Sequence, residues 1–262
     1  MMHSLNTSTT GMLAQQLNID VISNNIANVN TTGYKRSRVE FQDLLYQTCR
    51  LAGSPMINGM VTPVGIQLGL GTKPSAIFKL FQQGDFQQTE NPLDLVIEGD
   101  GFFQIQLPDG TMAYTRDGSF KKDGQGRLVT SDGYLLFPEI VVPQNATQVT
   151  VGADGIVSAQ IKGSSTQQYL GQIILSNFVN PAGLEALGKN LFLANDASGQ
   201  PQTAPPGTEG LGYLEQGYLE MSNVRVVEEM VNMIKAQRAY EADSKVIQAS
   251  DEMLDKAVNI RR

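Results

Sequence analysis

Apolar residues recur at intervals of seven at both ends of this chain and at intervals of two through its middle, and that contrast predicts the architecture. After Gly217 no glycine or proline interrupts the sequence. Met233, Tyr240, Ile247 and Leu254 fall at strict sevens, and Ala239, Val246, Met253 and Ile260 form an adjacent column. Met230 and Ile234 widen the apolar face at its start, and Ser222 or Asn223 is positioned to cap the first turn. Arg261 and Arg262 suit the negative end of the helix dipole, and Glu241–Lys245 and Glu252–Lys256 are correctly oriented i,i+4 pairs. The pattern predicts one helix of about 38 residues, roughly 57 Å long. A helix of that length requires a partner along its seam. The intervening heptad positions are Gln237, Ser244 and Asp251, so the seam is imperfect. Such a helix is marginal on its own and gains stability by packing.

The N-terminal stretch repeats the theme. Leu5, Met12, Ile19 and Ile26 fall at sevens over residues 4–29, with Leu13, Leu17 and Val21 beside them. The opposite face is Ser, Thr, Asn and Gln, nearly without charge, which suits contact with several neighbours better than exposure to water. The asparagines at 24, 25, 28 and 30 disfavour a helix interior, so the helix ends there, and Gly33 can take a positive φ.

Between the helices two further regimes follow. Residues 50–75 hold eight glycines and prolines among apolar residues, which excludes helix. They are also too apolar for a free linker. An extended arm whose Met56, Ile57, Val61, Ile66 and Leu68 lie on neighbouring molecules accounts for both features; a β-hairpin within the molecule is the alternative. From 76 to 215 the signals are those of strands. Phe103, Ile105 and Leu107 alternate with Gln104 and Gln106, and Asp-Gly turn pairs recur at 100, 109, 117, 123, 132 and 154. Short strands are predicted around Tyr114, Leu128, Leu135, Val141, Val149, Ile156, Ile173 and Phe192.

Composition narrows the function. The 262 residues carry a net charge of −7, which disfavours nucleic acid or an anionic membrane as a partner. No apolar run approaches the roughly 20 residues of a membrane span, and the N-terminus lacks the pattern of a cleaved signal peptide. With one cysteine, Cys49, and one histidine, His3, no internal disulfide is possible and most metal sites and histidine triads are excluded. Asp117, Asp123 and Asp132 read as turn residues rather than calcium ligands, because the sequence after Asp123 lacks the alternating oxygens of an EF-hand. Asp94, Glu98 and Asp100 are the candidates for a carboxylate-based glycosidase, but that reading leaves both long helices without a role. No cofactor is expected.

Asn24-Asn25-Ile26-Ala27-Asn28, followed by Thr32-Gly33-Tyr34-Lys35-Arg36, resembles the N-terminal signature of the bacterial flagellar rod and hook family. The run Ser222-Asn223-Val224, Glu228-Glu229, Met233-Ile234, Gln237-Arg238-Ala239-Tyr240-Glu241-Ala242 and Ser244-Lys245 is similar to its C-terminal signature. Phe41 to Gln47 and the Gly/Pro stretch after it resemble the distal-rod branch most; a hook member has a larger middle, and a proximal rod member lacks the insertion. The resemblance implies an α+β fold in which the terminal helices form a coiled-coil-like pair around a central, irregular antiparallel β domain. The expected divisions are an assembly helix (1–35), a connecting arm (36–75), the β domain (76–215) and a second assembly helix (216–262). It further implies a homo-oligomeric helical tube in the periplasm-spanning basal body that carries motor torque. Its expected neighbours are the proximal rod protein, the hook protein and the outer-ring bushing, and its expected route is type III export without a cleaved signal.

Overall fold

The computed structural model describes residues 2–53, 63–162 and 167–259. The chain forms two compact units, one of Met1–Ile26, Ser37–Phe78 and Arg225–Arg262, the other of Ala27–Arg36 and Lys79–Val224. Helices at both ends and antiparallel strands between them make the fold α+β.

In the first unit, helix α1 (Met2–Ala27) and helix α2 (Val226–Asn259) run antiparallel. Three contacts set their register. The Ser4 and Ser250 hydroxyls are 3.4 Å apart, a Cβ added to Gly11 would lie 2.6 Å from Asp243 Oδ2, and Asn25 Nδ2 donates to Glu229 Oε2 at 3.1 Å. Each seven-residue step along α1 is matched by a seven-residue step back along α2. The residues in register are small or polar. Asn25 is buried on α1, along with Ser8, Ala14 and one larger apolar side chain, Ile22, and Glu229, Ala236 and Ser250 are buried on α2. The second column of α2 is therefore Glu229–Ala236–Asp243–Ser250. It is not Gln237–Ser244–Asp251, of which Gln237 and Asp251 are exposed. Absence of bulk explains the choice, since a glycine facing a carboxylate lets the two backbones approach.

The stretch expected as an extended arm is paired with itself. Ser37–Asp43 pairs with Thr72–Lys79, and Tyr46–Arg50 pairs antiparallel with Ile66–Gly69 in the register Tyr46↔Gly69. Thr10 Oγ1 on α1 accepts the Thr72 N–H at 3.3 Å, anchoring the base of this ribbon. Its outer half stays open, with Leu45 83 % exposed and Leu51, Val64, Ile66 and Leu68 also at the surface. Met56, Ile57 and Val61 lie outside the described residues, as does Ile260.

The second unit is built on Phe102–Gln106, which pairs with Met112–Thr115, Leu135–Phe137 and Leu175–Asn177. The alternation read as one buried face conceals a strand covered on both. Phe103 and Ile105 enter the main core with Leu95, Ile97, Phe120, Leu136 and Ile173. Phe102, on the other face, packs edge-on against Phe178 and Phe192. Gln104 is buried as well, its amide donating to Ser176 Oγ at 2.7 Å. A three-stranded meander of Ala146–Val151, Ile156–Ile161 and Gln167–Gln172 lies beside this sheet in the chain order. Aspartates shape the turns: Asp109, Asp123 and Asp154 each accept a backbone N–H two residues on. One predicted strand is not a strand: Val141 makes only an isolated bridge to Arg127, between Pro138 and Pro143, while Ile173 lies in the short link between the strands Gln167–Gln172 and Leu175–Asn177.

Candidate assembly site

The two sequence signatures meet in the β unit. Gly33 takes a left-handed φ of 66° and donates its N–H to the Glu220 carbonyl at 2.8 Å. A Cβ there would sit 2.7 Å from the Asp117 backbone nitrogen, so the glycine is required by both conformation and space. The turn places Lys35 in the interior, where Nζ donates to Glu220 Oε1 at 2.5 Å and to the Gln82 carbonyl at 2.8 Å. Arg116 completes the cluster: Nε is 3.1 Å from Glu220 Oε2, out of line for a hydrogen bond, while its Nη atoms donate to the Gly101 and Gly99 carbonyls at 2.8 Å. All three side chains are nearly inaccessible to solvent. Burial holds the Lys35 ammonium below its usual pKa, with the Glu220 carboxylate working against that shift. Burial lowers Arg116 in the same way, opposed by Glu220 and Asp100.

Asn223 ties the second signature to the first. Its Oδ1 accepts the Arg36 N–H at 2.7 Å, and its amide donates to the Leu80 and Gln82 carbonyls. Ser222 Oγ accepts the Val224 N–H. Neither residue caps α2, which begins after Arg225; both side chains are spent on the strand-to-helix turn instead. In the helical unit Asn25 is held doubly by Ser37, donating to its carbonyl and accepting from its N–H, both at 2.9 Å. Replacing Gly33 with alanine should destabilise the β unit by about 1–3 kcal/mol, read as a lower urea midpoint with unchanged slope. An unshifted midpoint would show that the turn relaxes freely.

The remaining predicted residues divide by exposure. Leu5, Met12, Ile19 and Ile26 on α1 are half-buried, as are Met233, Ile247 and Leu254 on α2. Tyr240 is at the surface, and Gln237 and Arg238 are exposed. Asn24 and Ala27 are exposed, and Asn28, Thr32 and Tyr34 half-buried. The column Ala239–Val246–Met253 faces outward beyond its first residue. Val226, Val227, Met230, Val231 and Ile234 make an exposed apolar stripe at the start of α2. Sequence reasoning missed Arg116 and Glu220, whose partners lie far away in the chain. It also missed the small-residue column of α2; the run of Ser4, Gly11 and Asn25 at sevens was the available signal.

Three family models match in chain order: a flagella basal body rod protein model over 5–35, a flagellar hook protein FlgE/F/G D1 domain over 96–159, and a flagellar basal body rod FlgEFG C-terminal model over 215–260. The flagellar basal-body rod protein FlgG of Borreliella burgdorferi is 53 % identical over the whole of both chains. This chain belongs to the FlgG family of flagellar basal-body rod proteins. The FlgG of Buchnera aphidicola from Schizaphis graminum is 52 % identical over 98 % of each chain. The hook protein FlgE of Helicobacter mustelae matches only 52 % of this chain and 30 % of its own length, at 47 % identity. The FlgG family is structural, not enzymatic, and its place is the flagellar basal body, where it assembles with other flagellar proteins. The signatures that carry the resemblance thus have a physical basis: they hold the turn at Gly33, the buried charge cluster and the Asn223 bridge. No helix among the described residues is long and apolar enough to cross a membrane.

Proposed function

We propose that this chain is a subunit of the distal rod, a self-assembling tubular shaft that transmits motor torque to the hook and whose copies pack through α1 and α2. The observation that carries this reading is the placement of apolar side chains on the helix pair. Its internal seam is small and polar, while Val226, Val227, Met230, Val231, Ile234, Val246 and Met253 face outward. A stripe of that kind is costly in water and is covered when copies pack side by side, stabilising by about 25 cal/mol per Å² of apolar surface buried. The helices then form coiled-coil-like contacts through Leu5, Met12, Ile19 and Ile26 and through Met233, Gln237, Arg238, Tyr240, Ile247 and Leu254. The apolar ribbon, with Ile66 and Leu68, lies on adjacent copies and resists their sliding. The shaft joins the proximal rod protein below and the hook protein above, turns inside the outer-ring bushing, and spans the periplasm after type III export without a cleaved signal.

Sedimentation and electron microscopy of the purified chain over a range of concentrations test the reading. The expected result is concentration-dependent formation of straight tubes. Ile247→Asp should abolish the tubes, because an unpaired charge in an interhelical contact costs several kcal/mol, while the β unit melts as before. A chain that stays monomeric at every concentration, or an Ile247→Asp variant that polymerises normally, would sink it.

A further inference from the structure

We propose that a half-open pocket in the β unit, walled by Tyr34, Lys79, Ala186, Lys189 and Phe192, binds a carboxylate side chain of a second copy of this chain. The cavity measures about 210 Å³, enough for an aspartate or glutamate side chain. Its wall is the motif residue Tyr34 on one side and the hairpin of Glu185–Gly188 with Leu191–Leu193 on the other. Lys79 is the informative member. Its Nζ lies over the Tyr34 ring, 5.0 Å from the centroid, and among the described residues no oxygen accepts a hydrogen bond or ion pair from it. An ammonium has three donors, and a ring face satisfies none of them as an oxygen does. The other two lysines of the pocket are provided for: Lys35 has Glu220, and Lys189 has the Tyr134 hydroxyl at 3.1 Å and Asp132 at 3.7 Å. Burial pushes Lys79 below its usual pKa with no anion to oppose the shift, unlike Lys35. The cavity therefore presents one half-buried cation beside an aromatic wall and, among the described residues, no carboxylate paired with it.

Charge complementarity names the occupant. The chain carries a net charge of −7, and α2 exposes Glu241, Asp251, Glu252 and Asp255 with no ion pair among the described residues. A second copy brings such carboxylates to any face it touches. The cavity and its open cation stand on the geometry alone; the occupant rests on the assembly proposed above.

Zero-length carbodiimide coupling, which joins an amine to a carboxylate only where the two touch, tests this on polymer grown from mixed ¹⁴N- and ¹⁵N-labelled chains. The expected product is a Lys79 peptide linked to an acidic peptide of the other isotope. Lys79→Gln should raise the free monomer concentration in equilibrium with polymer about tenfold and leave the thermal melting of the monomer unchanged. Intermolecular links at other lysines with none at Lys79, or an unchanged monomer concentration in Lys79→Gln, would overturn the pocket while leaving the assembly standing. Polymer that forms but yields no intermolecular link at Lys79 overturns the pocket alone, and failure of the chain to form polymer at all removes both.

Discussion

Glu220→Ala is expected to cost the β unit about 3–5 kcal/mol, because it strands two buried cations rather than deleting one contact. Glu220 faces Lys35 and Arg116, and its Oε1 also accepts the Gly84 N–H at 3.0 Å. With the carboxylate gone, Lys35 retains only the Gln82 carbonyl and Arg116 the carbonyls of Gly99 and Gly101. Glu220→Gln keeps the shape and loses the charge, so it should fall near the alanine variant if charge compensation dominates. Alkaline pH supplies a second reading. Burial already holds folded Lys35 below its ordinary 10.5, and removing Glu220 removes the main influence raising it. Between the folded value and 10.5 the unfolded chain then binds more protons than the folded one, so stability rises with pH in that window. The deficit of Glu220→Ala should shrink as pH is raised toward 10.5, measured as urea midpoints against the parent. A deficit below 1 kcal/mol, or one that grows with pH, would place the compensation elsewhere.

That cluster marks the boundary of what the sequence discloses. Helix ends, the Asp-Gly turns and the helix–strand–helix division follow from local chemistry: asparagines that end α1, a glycine-free run that permits α2, aspartates that accept a neighbouring N–H. Lys35 was legible as part of a motif, but its partners, the Gln82 carbonyl and Glu220, stand 47 and 185 residues away with no local cue. The helix pair is a different kind of miss. Periodicity weights apolar residues, so it selects columns that include Ala239–Val246–Met253, whereas close approach selects small ones, Gly11 and Ala236 among them. Gln104 went the same way: a polar residue in an alternating strand reads as solvent-facing, and here Ser176 satisfies it inside. The Asn223 side chain was legible as a helix cap because asparagine favours that role, yet three strand-side backbone groups take it first.

Ala236→Leu and Val246→Ser together separate the inner seam of the helix pair from its outer face. Ala236 is 3 % exposed and lies in the register of Glu229, Asp243 and Ser250, where α1 presents small and polar residues. A leucine adds three carbons where the backbones approach closely, so the pair must open or strain, at about 1–3 kcal/mol. Val246 is 44 % exposed on the column that flanks this register, outside both buried core clusters, and its truncation removes apolar surface left open in the single subunit. Ala236→Leu should therefore speed amide exchange along both helices in the monomer while the β-unit amides stay protected. Val246→Ser should leave monomer exchange unchanged and weaken polymerisation. The two variants thus fail at different stages, one before assembly and one during it. Faster exchange in Val246→Ser with none in Ala236→Leu would invert the assignment: the apolar column would then be the intramolecular seam, and the register of Ser4, Gly11 and Asn25 against Ser250, Asp243 and Glu229 would not describe the helix pair in solution.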